Sequence, residues 1–380
     1  MYYRTIEKIK EKYNLTTKEL MLHYAAVGGE VSTDLIRKMG IDINLQSYIT
    51  TKSKLKGSFK YRKTGNIRGY QLTAKGINEA IDKDYRYSDY LHEQRGLRRL
   101  TKNIMRRKRM IKKAKLYFFF DEAGIEYFYK DEFSRSPHFL DSRFLKHDTD
   151  DEESDINHQI ISSRCFGFLE LADDYNYLIY VFDDEKIKLE FNTEVRMKDE
   201  YHYWYDDDNV KALIVLKDEE MLKEVALDLF SLAGIIRNRE KNENLKAIEY
   251  IDYDELHLIT FNDSGLKQMH LLKNNIYTDS KIRKILKCTN NKKEEEFYKY
   301  EFFNCDGFIS AYPCFFLYSI DINKIIKINS YLYNRANVCC IVVCFREYIN
   351  LIRQAFGELS ERVKFISVEK LNLFEERINT

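Results

Sequence analysis

The sequence predicts an α/β chain of several domains, and three observations carry that expectation. Charge is unevenly placed: residues 1–115 hold 28 Lys+Arg against 11 Asp+Glu, whereas 116–380 hold 34 against 50, and the net charge of +1 conceals the division. Short helical patterns followed by a hairpin pattern fill residues 16–83. Beyond residue 116, apolar runs of strand length alternate with helical patterns. A chain of 380 residues has room for two or three domains, at roughly 100–200 residues each. With 44% hydrophobic residues, 2 prolines and 14 glycines, disordered and collagen-like classes are excluded. The expected division is 1–94, a basic helical connector at 95–115, and an α/β region at 116–380, separable into lobes of about 116–240 and 241–380.

In the first domain, Thr16-Thr17-Lys18-Glu19 opens a helix with a capping-box pattern, and Gly28-Gly29 close it. Ser32 or Thr33 caps a short helix, Asp34 to Met39, stopped by Gly40. A third helix begins near Asn44 and runs through Tyr48 and Leu55 to Gly57. Phe59–Lys63, the turn Thr64-Gly65-Asn66, and Arg68–Thr73 alternate as a β-hairpin, after which Thr73 caps Ala74 to Ile81. Three short helices, a hairpin and a closing helix make a winged helix-turn-helix, a fold whose third helix enters the major groove of duplex DNA while the wing touches the flanking backbone. The third helix then offers Asn44, Gln46, Ser47, Thr50, Thr51, Lys52 and Lys54. Asn and Gln suit adenine edges, and Ser and Thr suit bases or phosphates. Lys54, Lys56, Lys60, Arg62, Lys63 and Arg68 suit phosphates. The competing possibility is a protein-binding winged helix with a solvated basic face.

Residues 95–115 contain eleven Lys+Arg and no acid, with Leu97, Leu100, Ile104 and Ile111 at roughly helical spacing. Such a segment needs a counter-surface. Duplex DNA is the simplest, met by Arg98, Arg99, Lys102, Arg106, Arg107, Lys108 and Arg109. Docking on the acidic C-terminal half, an anionic membrane surface, or simple solvation compete with it.

Further on, strands are expected at Cys165–Leu171, Tyr177–Phe182, Ala212–Leu216, Leu256–Phe261, Gly307–Ser310, Phe315–Ile320, Val338–Phe345 and Val363–Val368. Helices are expected at Glu219–Ala233, Ser280–Lys287, Lys324–Tyr333 and Arg346–Phe356, and Asp148 to Asp155 reads as an exposed acidic loop. The aromatic cluster Tyr201–Tyr205 reads as a half-buried strand, an interface or a binding patch. Seven cysteines, at 165, 288, 305, 314, 339, 340 and 344, include no CxxC pair, so a metal or disulfide framework is not expected. Cys339, Cys340 and Cys344 read instead as small hydrophobes of a core strand. No phosphate loop, no GxSxG elbow and no His-x-His pair is present. The N-terminus lacks an apolar signal region and no run is long enough to span a membrane, so a cytoplasmic chain without membrane contact is expected.

The layout of winged helix, basic linker and α/β region resembles the plasmid replication-relaxation family and related accessory proteins of bacterial conjugative elements. Phe139-Leu140-Asp141-Ser142-Arg143 and Ile161-Ser-Ser-Arg164-Cys-Phe-Gly-Phe168 share in the resemblance, which places them at the start of the second domain. It implies a C-terminal part resembling a restriction-endonuclease fold. A nuclease site of that kind sets an acid on one strand and Glu/Asp-x-Lys on the next, to hold Mg²⁺ and assist water. The nearest match is Asp306 followed by Asp321 and Lys324, spaced three apart instead of two, so that on a strand Lys324 would face away and the fold would be inactive. The leading expectation is a sequence-specific, non-catalytic DNA-binding accessory protein of a plasmid or integrative conjugative element. Its C-terminal region would serve dimerisation or contact with a replication or transfer protein. A Mg²⁺-dependent nuclease and a transcriptional regulator with a sensing C-terminal domain remain alternatives. No cofactor is expected, save Mg²⁺ under the nuclease alternative.

Overall fold

The computed structural model describes residues 2–93, 101–128, 137–144, 163–171, 175–183, 189, 191–205, 209–237, 239–242, 245, 248, 253–289, 305–310 and 312–373. Within them the chain is mixed α/β, in two compact units, Met1–Leu145 and Lys146–Thr380. No helix of the described residues is long and apolar enough to cross a membrane.

The first unit runs α1 (Tyr2–Lys12), α2 (Thr17–Gly28), β1 (Glu30–Ser32), α3 (Thr33–Lys38), α4 (Ile43–Thr51), β2 (Phe59–Thr64), β3 (Ile67–Leu72), α5 (Ala74–Lys83), α6 (Tyr87–Glu93), α7 (Ile104–Ala123) and β4 (His138–Asp141). Its local signals act as expected. The Thr16 backbone N–H donates to the Glu19 carboxylate at 2.7 Å, and Ser32 and Thr73 accept from Leu35 and Gly76 N–H at 3.2 Å each. The hairpin pairs Phe59 with Leu72 through Thr64 with Ile67, so Gly65 and Asn66 alone form its turn, with Gly65 at φ +57°. β1 adds antiparallel to β3, which gives the order β1-β3-β2. The third helix ends six residues before Gly57. Thr50, Thr51 and Ser53 turn their hydroxyls onto carbonyls of the last turn, and Ser53 N–H bonds Tyr48 O at 2.9 Å, which closes the helix.

The expected boundary at 115/116 falls inside α7. The cationic stretch and the apolar stretch Leu116–Phe120 are halves of one twenty-residue helix, capped by Asn103 and ended by Gly124 in the left-handed region. It packs on α1, α2 and β1 within the first unit. A carboxylate near its end, Asp121, accepts from Tyr13 (2.6 Å), Lys12 (3.0 Å), Tyr24 (2.9 Å) and Tyr127 (2.6 Å), joining α1 and α2 to α7. Where α2 crosses α7 the backbones nearly touch, because a Cβ on Gly28 would lie 2.5 Å from Ala114 Cβ and 2.6 Å from its Cα. Alanine normally favours a helix over glycine by up to ~1 kcal/mol. Here overpacking of about 1–3 kcal/mol outweighs that gain. Gly28→Ala should therefore lower the urea midpoint of unfolding, and an unchanged midpoint would mean the crossing can open without cost.

The second unit contains β5 (Cys165–Glu170), β6 (Asn176–Phe182), α8 (Phe191–Tyr205), β7 (Lys211–Leu216), α9 (Glu219–Leu232), β8 (Glu255–Thr260), α10 (Asp263–Leu272), α11 (Asn275–Leu286), β9 (Gly307–Ile309), β10 (Tyr312–Leu317), β11 (Ile320–Asp321), α12 (Ile322–Tyr333), β12 (Cys340–Cys344), α13 (Ile349–Phe356) and β13 (Val363–Ser367). One sheet follows the order β11-β8-β7-β6-β5, with β6, β7 and β8 parallel and helices in the crossovers. A second follows β13-β12-β10-β9, parallel except for β9. Strands such as β6, β7 and β12 are buried at every residue, which explains their continuous apolar runs. The expected division at 240 falls within one sheet, in which β7 and β8 pair from Lys211–Glu255 to Leu216–Thr260. Residues Tyr201–Tyr205 are not a strand but the last turn of α8. Tyr201 is buried there, and its hydroxyl donates to Asn176 O at 3.3 Å. Cys339 is exposed, while Cys340 and Cys344 are buried in β12.

Candidate nucleic-acid interface

Asp42 caps α4 by accepting from Leu45 N–H at 2.7 Å, and Ile49 anchors the helix in the core. Spacing of three and four residues then sets Asn44, Ser47, Tyr48 and Thr51 on one exposed face. Gln46 and Thr50 are half-buried. The Thr50 and Thr51 hydroxyl protons go to helix carbonyls. Asn44 and Ser47 are thus the polar groups α4 presents most openly. Lys52 and Lys54 lie past the helix end, exposed in the turn that leads to β2.

On the wing, alternation divides the expected cations between two faces. Tyr61 and Lys63 share one face with their opposite residues Tyr70 and Arg68, and the two tyrosine rings stand 5.1 Å apart. Lys60 and Arg62 share the other. Lys60 is exposed, but Arg62 is half-buried with its Nε enclosed, so it is poorly placed for phosphate.

Contrary to the expectation of a cationic clamp, α7 buries much of its charge. Arg107 has no exposed side-chain surface. Its guanidinium grips the Glu30 carboxylate at 2.5 and 2.9 Å and donates to Thr64 Oγ1 (2.7 Å) and Arg62 O (3.0 Å). Gln71 adds a bond to the same carboxylate at 2.6 Å. Lys113 is buried against Asp141 at 2.7 Å, and Lys112 is buried too. Arg106 and Lys102 are exposed and Lys108 and Arg109 half-buried, whereas Arg98 and Arg99 lie outside the described residues. Asp148 to Asp155 and Ile161-Ser162 lie outside them as well. Asp141 and Arg143, expected at the start of a second domain, belong to the first unit.

In the second unit, Asp306, Asp321 and Lys324 meet, but not as a strand pair. β11 is only two residues long, and α12 begins at Ile322, so the pleat argument that turned Lys324 away does not apply. Lys324 Nζ reaches Asp306 at 2.7 Å, and Asp306 also accepts from Phe316 N–H at 2.6 Å. Asp321 caps α12 through Lys324 N–H at 3.2 Å. Burial, then the charge of Asp306, pushes the nearby Asp279 carboxyl up to about 6.

Two further residues join this region that sequence patterns did not single out. Glu255 and His257 lie two apart on β8, hence on one face, and His257 is the register partner of Asp321 on β11. His257 Nε2 lies 2.8 Å from Glu255 Oε2 and its Nδ1 lies 2.6 Å from Ser319 Oγ. Burial alone would raise the Glu255 carboxyl, but His257 holds it down to about 2. The spacing Glu-Leu-His on a strand was the available signal. Its third member, Asp321, is brought in by the β11–β8 pairing.

Compared with protein-family models, curated proteins and solved structures, the chain matches none of them.

Proposed function

We propose that the first unit is a winged helix that binds duplex DNA, with α4 in the major groove and the β2–β3 hairpin as the wing. The carrying observation is the pairing of Lys63 directly opposite Arg68 near the hairpin turn, both exposed. Like charges in that position destabilise a hairpin, and a polyanion relieves them. The Asn44 and Ser47 face of α4 supplies groups suited to base edges, with Lys52 and Lys54 beside it. In keeping with the resemblance to replication-relaxation proteins, the whole chain serves as a non-catalytic accessory protein of a plasmid or conjugative element. Its second unit is free for dimerisation or for contact with a replication or transfer protein. The nuclease alternative has weaker support, since Asp306 and Lys324 occupy each other and Asp321 caps a helix.

The test is fluorescence anisotropy of the full chain on duplex DNA over a salt series, after a preferred site has been selected from a random pool. Lys63→Ala with Arg68→Ala should weaken binding to every sequence and reduce the salt slope by about 0.9 for each phosphate no longer neutralised. Asn44→Ala should cost ~1–3 kcal/mol on the selected site and leave random duplex unaffected. Failure of the full chain to bind duplex DNA would end the proposal. Identical behaviour of the two variants would end the division into reading and holding residues.

A further inference from the structure

We propose that Glu255, His257 and Asp321 form a binding site for a first-row divalent transition-metal ion, of the class of Zn²⁺ or Mn²⁺.

One ligand atom from each of the three residues lies within 4.8 Å of the others. Ligands about 2.1 Å from a tetrahedral ion stand roughly 3.4 Å apart, between the 2.8 Å that separates His257 Nε2 from Glu255 Oε2 and the 4.8 Å that bounds all three, so small side-chain rotations suffice. The backbone already provides the convergence. Glu255 and His257 project from the same face of β8, and Asp321 stands opposite His257 on the paired strand β11. Rigid strands hold a site better than loops do.

Two of the three members, His257 and Asp321, are also oriented from behind. The 2.6 Å contact between His257 Nδ1 and Ser319 Oγ turns Nε2 toward Glu255, the outer-shell arrangement that fixes a metal-binding imidazole. Both backbone N–H groups that bond Asp321, those of Leu256 (3.4 Å) and Lys324 (3.2 Å), reach Oδ1. Oδ2 is therefore the oxygen that can face the ion.

Charge points the same way. Two carboxylates and an imidazole share this pocket, with His257 and Asp321 buried and the Glu255 side chain 30% exposed. A dication balances the two acids, and Glu255 gives it a way in. Of the neighbouring amines, Lys324 bonds Asp306 at 2.7 Å, while Lys211 lies over the Tyr175 ring at 3.6 Å and pairs loosely with Glu255 Oε1 at 3.8 Å, which leaves Oε2 on the His257 side. The imidazole selects a transition ion over Mg²⁺ or Ca²⁺, which favour all-oxygen shells. With three protein ligands, a coordination position remains for water or a further donor.

The experiment uses the full chain, stripped with chelator and dialysed, then titrated calorimetrically with ZnCl₂, MnCl₂ and MgCl₂ in separate runs. One Zn²⁺ or Mn²⁺ per chain is expected, with Mg²⁺ at least 100-fold weaker. His257→Ala and the near-isosteric Glu255→Gln should each weaken uptake at least tenfold, with circular dichroism confirming that both remain folded. Mn²⁺ separates this site from the thiols, which bind it poorly. Absence of one-to-one uptake of either transition ion by the unaltered chain overturns the proposal without reference to any variant. Uptake unchanged in both variants overturns it as well.

Discussion

Arg107→Ala should lower the unfolding free energy of the protein by about 3–5 kcal/mol, whereas Arg106→Ala, one residue away, should leave the urea midpoint where it was. The two side chains differ in surroundings and not in chemistry. Arg106 is exposed; Arg107 reaches into the unit and bonds Glu30, which is itself without exposed side-chain surface. Truncating the arginine strands a buried carboxylate whose one remaining side-chain donor among the described residues is Gln71, at 2.6 Å. It also frees Thr64 Oγ1 and Arg62 O at the wing. Removing a charge partner in such a place costs several times what a surface pair contributes. Because Glu30 lies on β1 and Thr64 on β2, the same change should loosen the sheet that presents the wing. Equal midpoints for the two variants would show that this ion pair does not hold α7 to the sheet.

Asp141→Asn should be of similar size, about 3 kcal/mol or more, because it leaves two cations without their shared counter-ion. Asp141 accepts from Lys113 at 2.7 Å and from Arg143 at 3.0 Å, and Tyr117 also donates to it. Burial alone would raise this carboxyl, but Arg143 and Lys113 hold it well below the usual carboxylate range. The sign of the pH dependence follows. An unfolded aspartate titrates near 3.8 and the folded one lower, so the stabilisation is complete above pH 4 and is lost as pH falls through the folded value. Urea midpoints measured from pH 6 down to pH 2 should fall more steeply below pH 4 in the unaltered protein than in Asp141→Asn. Parallel curves for the two proteins would remove Asp141 from the account of acid unfolding.

Most elements were legible from residues four or fewer apart. The Thr16–Glu19 box, the Ser32 and Thr73 caps and the alternation of the hairpin are local devices, and they placed α2, α3, α5, β2 and β3 closely. The continuous apolar runs of β6, β7 and β12 likewise announced strands, and the structure buries each of them at every residue. Other local patterns misled. The cations at 102–113 looked like a solvated or DNA-facing connector, because nothing nearby in sequence neutralises them. Their acids are remote: Glu30 lies 77 residues from Arg107, and Asp141 lies 28 from Lys113. Asp306 and Lys324 could be nominated but not arranged, and Glu255 and His257 were not nominated at all.

By itself, then, the sequence determined the α/β class, the identity and approximate bounds of most strands and helices, and the basic character of the first 115 residues. Only the tertiary structure decided which cations are buried, that α7 belongs to the first unit, and that Glu255, His257 and Asp321 converge. The physical reason is one of range. Caps and periodicity are satisfied within a turn or a pleat, whereas the cost of a buried charge is settled by whichever distant segment folds against it.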